Sequence, residues 1–400
     1  MKDIRIGLIG AGFMGKVHAA AFKNVPLIFG NEPGVPILEI IADVDEQTVA
    51  KRAAEFGFAR WTTNWRTVVE DPRVDIVDIT TPNHLHTEMA VAAAEAGRHI
   101  YCEKPLANTS ADAARIVAAV EKAGVTSIVG FNYLKNPAQA FAWELIQAGE
   151  LGDITLFRGT FDQDFLADPD IPFSWRLDRT MAGTGALGDL GSHTIGFAHF
   201  LVGGMAEVCG LNTTKIKERK LSSAGSGYAS AAAGGAEKRK VENEDITEFL
   251  IRFENGAIGS IGTSRIGMGR KLGLAYEIQG TKGSLFFTQE RMNEIRLYRH
   301  TDPDREKGYK TVYIGPEHPG YGAFFGLAGI GLGYNDQKIL EAHDLVAAVA
   351  LGQHVQPDVR FAYEVNKVID AVELSCRERR WVKVSEFKTE VDDADWIDHR

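Results

Sequence analysis

The sequence predicts two architectures in one chain. Residues 1–130 read as a doubly wound parallel α/β sheet, and residues 131–400 as an α+β domain with a largely antiparallel sheet. Three observations carry this. Residues 4–15 read IRIGLIGAGFMG, an aliphatic strand running into Gly10-x-Gly12-x-x-Gly15. Strand and helix patterns then alternate with short turns to about residue 130. Beyond residue 150 strands follow one another directly, through the hairpin signals Glu254-Asn255-Gly256 and Gly280-Thr281-Lys282-Gly283.

The first strand has the length and aliphatic content of a buried parallel strand. Gly10 permits the tight turn, Gly12 lets backbone approach a pyrophosphate, and Gly15 lets the helix pack close to the strand. With Phe13 and Met14 in the turn, the helix MGKVHAAAFKN offers its N-terminus to phosphates. The Pro- and Gly-rich stretch 26–36 reads as a loop. A strand over Ile37–Asp43 follows, and Asp43 suits hydrogen bonds from both hydroxyls of an adenosine ribose. Asp43 and Asp45 would repel a phosphate there, and no cation follows until Lys51 and Arg52, so NAD is expected over NADP. Asp43 could instead cap the next helix, 46–56, although Asp45 is better placed for that cap.

The pattern continues with strand Val74–Thr80, helix His86–Gly97, strand His99–Glu103, helix Ser110–Gly124 and strand Thr126–Gly130. In the second domain strands are expected at Ile154–Phe161, Asp245–Phe253, Ala257–Arg265, Leu272–Gly280, Gly283–Phe287 and Glu294–Arg299. Helices Asp336–Leu351 and Tyr363–Arg377 close the chain. Residues 213–242 hold the run SSAGSGYASAAAGG between charged flanks, and read as a mobile insertion between strands. It is either a solvated loop tip or a lid or subunit-contact arm.

Length and composition set bounds. Four hundred residues exceed what one core supports, which agrees with two domains. A net charge of −10 argues against nucleic acid and anionic membrane as partners. Three scattered cysteines, Cys102, Cys209 and Cys376, indicate neither a disulfide framework nor a structural zinc. The chain enters a strand at once, leaving no room for a signal peptide, and no run reaches the ~18 apolar residues of a membrane span. A cytoplasmic location follows by default.

Two clusters could do chemistry. Glu103-Lys104-Pro105 ends a parallel strand, where sites of such sheets lie, and a lysine there points into the cofactor crevice. In GTGALGDLGSH, Asp189 and His193 stand four apart and share a helix face if Asp189 to Val202 is helical. With Lys104, they would keep His193 near neutral and able to accept a proton. Without Lys104, the pair could equally be structural, with Asp189 as a cap. Thr81, Pro82, Asn83 and His86, just past the third strand, suit cofactor binding and not chemistry. No His-Glu-x-x-His or cysteine cluster is present, so no metal is expected.

At these residues the chain resembles the Gfo/Idh/MocA oxidoreductases, through GAGFMG, TPNHLHTEMA, YCEKPLA, GFNY and GTGALGDLGSHTI. The resemblance implies a Rossmann domain followed by a large, mostly antiparallel sheet domain, assembled as dimers or tetramers. It implies that Lys104, Asp189 and His193 match the family's catalytic triad. It makes Trp175 and Arg176 a pair near the cofactor, beside Glu103 and Lys104, and Tyr334 a wall of the substrate pocket. Leu134 and Lys135 stand after GFNY, where the family often shows an arginine. The insertion at 213–242 is longer than typical.

The expected activity is NAD-dependent oxidation of a secondary hydroxyl on a cyclic polyol or sugar. His193 takes the hydroxyl proton, Lys104 stabilises the developing alkoxide, and Asp189 orients substrate or ring. Asn132, Tyr133, Asp162 and Gln163 are expected to receive substrate hydroxyls, and aromatic residues such as Phe161 and Trp175 to stack on the ring. Two rivals are an NAD-dependent glycoside hydrolase of the same fold, using transient ring oxidation, and a non-catalytic NAD-binding sugar sensor. Net NADH formation separates the first rival, and the intact triad argues against the second.

Overall fold

The computed structural model describes residues 2–222 and 233–393. They form two units, one of residues 2–132, 334–364 and 389–393, the other of residues 133–222, 233–333 and 365–388. The second stretch of the first unit comes from beyond the expected boundary near residue 130.

The first unit holds strands β1 (Lys2–Ile9), β2 (Gly34–Ala42), β3 (Arg60–Thr62), β4 (Ile76–Ile79), β5 (His99–Cys102) and β6 (Ser127–Val129). Their order is β3-β2-β1-β4-β5-β6, and every pairing is parallel. Order reverses between β1 and β4, so the crevice beyond the carboxyl ends of these two strands is where such a sheet binds ligands. Ile4, Ile6, Ile76, Val77 and Ile100 are fully buried, as strands covered on both faces require. The helices are α1 (Phe13–Phe29), α2 (Glu46–Phe56), α3 (Trp65–Glu70), α4 (His86–Glu95) and α5 (Ser110–Ala123). Asp45 caps α2 by accepting the Thr48 N–H at 2.8 Å, as expected.

The loop expected at 26–36 is shorter. Helix α1 continues through Pro26 to Phe29, carried by the buried Phe22 and Val25, and ends at Gly30 with φ of 81°. Strand β2 already begins at Gly34 and includes Pro36. Proline is tolerated there because β3 pairs only with Ile40–Ala42, so one edge of β2 is unpaired at Pro36.

The second unit contains α6 (Pro137–Gln147), β7 (Ile154–Asp162), α7 (Arg179–Ala182), α8 (Ser192–Leu201), β8 (Met205–Thr213), β9 (Glu218–Ser222), β10 (Ala233–Lys240), β11 (Ile246–Phe253), β12 (Ile258–Ser264), β13 (Gly273–Gly280), β14 (Gly283–Thr288), β15 (Glu294–Arg299) and β16 (Lys310–Tyr313). Helix α9 (Tyr334–Leu351) belongs to the first unit; α10 (Val359–Glu378) starts there and continues in the second, where β17 (Val382–Lys383) follows. Nine strands form one sheet in the order β16-β15-β14-β13-β7-β12-β11-β8-β17. All its pairings are antiparallel except β12 with β7. Both hairpin turns form where expected, and Gly256 supplies φ of 89° at the first. One face of the sheet is covered by helices: Phe197 of α8 meets Tyr276 of β13 at 5.2 Å between ring centroids. The other face carries the exposed Leu211, Leu250 and Ile258.

The insertion expected to be mobile holds two strands, β9 and β10, which pair antiparallel; residues 223–232 of that expectation lie outside the described residues. Arg219 roots it: 1% exposed, it donates to the carbonyls of Asp168 at 2.7 Å and Ile171 at 3.1 Å. Val241 packs with Leu166 and Leu177 beneath it.

Candidate active site

In the first unit the glycine loop is built for a phosphate. Gly10 has φ of 104°, donates its N–H to Ala42 O at 2.8 Å, and leaves no room for a Cβ, which would lie 2.9 Å from Thr80 O. A Cβ on Gly15 would lie 2.1 Å from Gly10 O, so only glycine lets α1 start this close to β1. A Cβ on Gly12 would meet nothing within 4 Å: the loop faces open space there. Helix α1 has no side-chain cap and no acidic residue in its first turn, which leaves its positive end to an anionic ligand. Asp43, at the end of β2, accepts the Ala11 N–H at 2.7 Å and so stands beside the loop. These residues fit a dinucleotide. Phe13 is exposed, while Met14 lies under Tyr334, whose hydroxyl is 3.9 Å from its sulfur. Tyr334, expected as a wall of the substrate pocket, thus covers a residue of the glycine loop.

The strand ends β4 and β5 carry the other expected cofactor residues. Thr81 contacts Met89 Sδ at 3.6 Å, and Asn83, beside Pro82, is 9% exposed. His86 is fully buried, with Nε2 at 2.9 Å from Thr81 O and Nδ1 at 3.0 Å from Pro105 O. Burial holds it below the ordinary histidine range, so its one N–H donates to one of two carbonyls. It ties the β4 end to the Glu103-Lys104-Pro105 turn, and being fully buried it offers no face to a cofactor. The Lys104–Pro105 peptide is cis.

Glu103 points away from the crevice, into a buried charge cluster. Its carboxylate accepts from Lys338 Nζ at 2.6 Å, His18 Nε2 at 3.0 Å and the Lys104 N–H at 3.1 Å. His18 Nδ1 donates to Asp78 at 2.9 Å; Lys338 also donates to Glu341 at 2.9 Å, and the Tyr101 hydroxyl to Glu341. Burial opposes every charge here, but partners outweigh it at three groups. Asp78 and Glu103 hold His18 above its ordinary range, Lys338 and His18 hold Glu103 well below the carboxylate range, and Glu103 and Glu341 raise Lys338. A Cβ on Gly130 would lie 2.7 Å from the Glu103 carboxylate, so glycine there makes the room. Asn132, 2% exposed, donates to Gln337 of α9 at 3.3 Å.

In the second unit the helix expected from Asp189 begins earlier. Residues Leu187–Gly191 form a π-helical turn that runs into α8. Such turns recur at functional sites. His193 is 6% exposed, with the Tyr133 ring at 4.7 Å and the Phe161 ring at 5.8 Å. Asp189 Oδ2 lies 3.9 Å from Arg176 Nε, and the Arg176 guanidinium rests 4.4 Å above the Trp175 ring. Tyr133 and Phe161 therefore gather at His193, and Arg176 and Trp175 at Asp189. Asp162 and Gln163 do not. Strand alternation turns Asp162 opposite to Phe161, onto the open sheet face, where Glu248 is its neighbour. Gln163 donates to Lys271 O at 2.8 Å.

Residues 4–131 match the oxidoreductase family with NAD-binding Rossmann fold, and residues 140–286 the GFO/IDH/MocA C-terminal domain. Levoglucosan dehydrogenase of Pseudarthrobacter phenanthrenivorans is 41% identical over 388 residues, 97% of this chain and 100% of that protein. The chain belongs to the Gfo/Idh/MocA oxidoreductase family. A solved levoglucosan dehydrogenase in complex with NADH and levoglucosan superposes with a TM-score of 0.90 at 41% identity, over 96% of this chain and 100% of that one. An NAD binding oxidoreductase from Klebsiella pneumoniae gives 0.89 at 43% identity, over 96% and 99%.

As a Gfo/Idh/MocA protein the chain is an oxidoreductase with an NAD-binding domain. Among the described residues no group of three or more His, Cys, Asp or Glu side chains is placed to hold a metal, and no helix is long and apolar enough to cross a membrane. Sequence reasoning missed His18, Asp78, Tyr101, Lys338 and Glu341. One signal was available: Asp78, set between aliphatic residues in Ile76-Val77-Asp78-Ile79, demands a buried partner.

Proposed function

We propose that this protein oxidises a secondary ring hydroxyl of a cyclic sugar, with levoglucosan the first substrate to test. The observation that carries this is the end-to-end match to levoglucosan dehydrogenase, which leaves neither domain of that enzyme without a counterpart. Bound NAD supplies the hydride acceptor. The glycine loop and the α1 N-terminus take its pyrophosphate, and Asp43 takes the adenosine ribose, where a phosphate would meet like charge. His193 receives the hydroxyl proton, its ring direction set by Tyr133 and Phe161. Asp189, partnered by Arg176, orients the substrate or the imidazole. Lys104 hydrogen-bonds the reacting oxygen and stabilises the alkoxide. We assign the protein to the cytoplasm as a homodimer or homotetramer, and the open sheet face with Leu211, Leu250 and Ile258 is the surface that would pair; light scattering of the purified protein tests the assembly.

The test is NADH absorbance with NAD and a panel of levoglucosan, inositols, aldoses and glycosides. Growth of the signal on one ring sugar is expected. Lys104→Ala and His193→Ala should each lower turnover by about 10²-fold or more while NADH still binds. Near-wild-type rates in either variant would remove that residue from the mechanism. A flat trace across the panel with NADH binding intact would favour the hydrolase or the sensor.

A further inference from the structure

The turn that carries Asp189 is fastened by a residue that no motif marks. Glu244 is 5% exposed, and its Oε1 accepts the N–H groups of Gly185 at 2.7 Å and Leu187 at 2.9 Å. Its main-chain carbonyl accepts the Ala186 N–H at 3.0 Å. Three successive amides thus end on one residue. They belong to the opening turn of the helical run, whose N–H groups have no partner within the helix. The Gly185 carbonyl in turn accepts the Asp189 N–H at 3.0 Å. Contact is so close that a Cβ on Gly185 would lie 2.0 Å from Glu244 O.

Its neighbours hold the other partner of Asp189. Asn243 Nδ2 donates to Arg176 O at 2.8 Å. Arg265, 2% exposed, donates from Nη2 to Asn243 Oδ1 at 2.9 Å and from Nε to Asp245 Oδ1 at 3.0 Å. Asp245 Oδ2 accepts the amides of Lys215 at 2.7 Å and Ile216 at 2.9 Å. Each donor finds an acceptor, and linked buried bonds of this kind stiffen what they hold.

We propose that Asn243-Glu244-Asp245, backed by Arg265, is the positioning element of the Asp189–His193 centre. Glu244 sets the turn that aims Asp189 and starts the His193 helix. Asn243 sets the Arg176 main chain, and with it the guanidinium beside Asp189. Neither touches reacting atoms, and the role rests on the catalytic assignment of Asp189 and His193 above. Glutamate suits the task because one carboxylate oxygen can accept two amides. Glutamine keeps an oxygen acceptor at the same reach; alanine does not.

Full-length Glu244→Ala, Glu244→Gln and Asn243→Ala proteins are compared for kcat with the best sugar, NADH binding, and amide hydrogen exchange of residues 183–192. Glu244→Ala should lose kcat on the order of 10- to 100-fold, the scale of a displaced catalytic group, with NADH binding unchanged. Amides 185–189 should exchange faster in it. Glu244→Gln should recover most of both, and Asn243→Ala should lose kcat without faster exchange at 185–189. Wild-type kcat in Glu244→Ala, or equal loss in Ala and Gln variants, overturns the proposal. Should Glu244→Ala fail to fold, a near-wild-type Glu244→Gln beside an impaired Asn243→Ala supports it, and the reverse order overturns it. If no sugar is oxidised by the unaltered protein, the sugar reading falls alone, and the exchange pattern still decides the positioning.

Discussion

Lys338 sits with no exposed side-chain surface between Glu103 and Glu341 and within reach of His18. Replacing it removes the cation from between two buried carboxylates and leaves Glu103 to His18 and the Lys104 N–H. Breaking a buried pair by deleting one partner costs about 3–5 kcal/mol. Lys338→Met should therefore lower the stability of the protein by that order in urea unfolding, and an unchanged midpoint would show that the cluster does not depend on its lysine. None of this was readable locally. Lys104, Asp189 and His193 announce themselves through short motifs, whereas Lys338 stands about 235 residues after Glu103 with nothing beside it to mark it. Asp162 misled for the converse reason. Its neighbour Phe161 does reach His193, and a period of two sends the next side chain to the other face.

Among elements, the glycine loop and the strand ladder were the most legible. Gly15 is required by contact and not by dihedral angle, so Gly15→Ala drives a methyl against the Gly10 carbonyl. The expected result is a stability loss of about 1–3 kcal/mol, typical of overpacking, together with weaker binding in an NADH fluorescence titration. If both are unchanged, α1 can shift freely and the close packing has no consequence. Helix α1 itself was read too short, because Pro26 looks like punctuation in sequence while Phe22 and Val25 keep the segment packed as helix. Strand β8 was missed because its residues alternate weakly in burial, with only Met205 and Val208 buried. The β9–β10 hairpin was hidden by its own charge: Arg219 reads as solvated, yet spends its donors on loop carbonyls.

For the molecule as a whole, stability should depend on pH at two ends. Asp71, held by Arg60 and Arg73 although burial opposes it, is lowered from 3.8 to about 2. A lowered carboxylate contributes fully above the unfolded value and loses that contribution as pH falls through the folded one. The destabilisation caused by Asp71→Asn should thus be present at pH 7 and shrink between about pH 4 and 2. His18 works in the other direction. Raised above 6.5 by Asp78 against the cost of burial, it contributes fully below that value and loses its contribution as pH rises through the folded pKa. Urea midpoints measured upward from pH 6.5 should decline in the parent protein, and a His18→Gln variant should lack that part of the decline.

The first unit is discontinuous in the chain, and that has a consequence for its birth on the ribosome. Glu103 emerges long before the lysine that neutralises it. At about 5–20 residues per second, the intervening segment takes roughly 10 to 50 s to make. During that wait β1 to β6 exist without α9, and Glu103 must stay hydrated or make do with His18 and the Lys104 N–H. A nascent chain arrested before residue 334 should therefore remain open to protease across β5, and become resistant once α9 has been released to it.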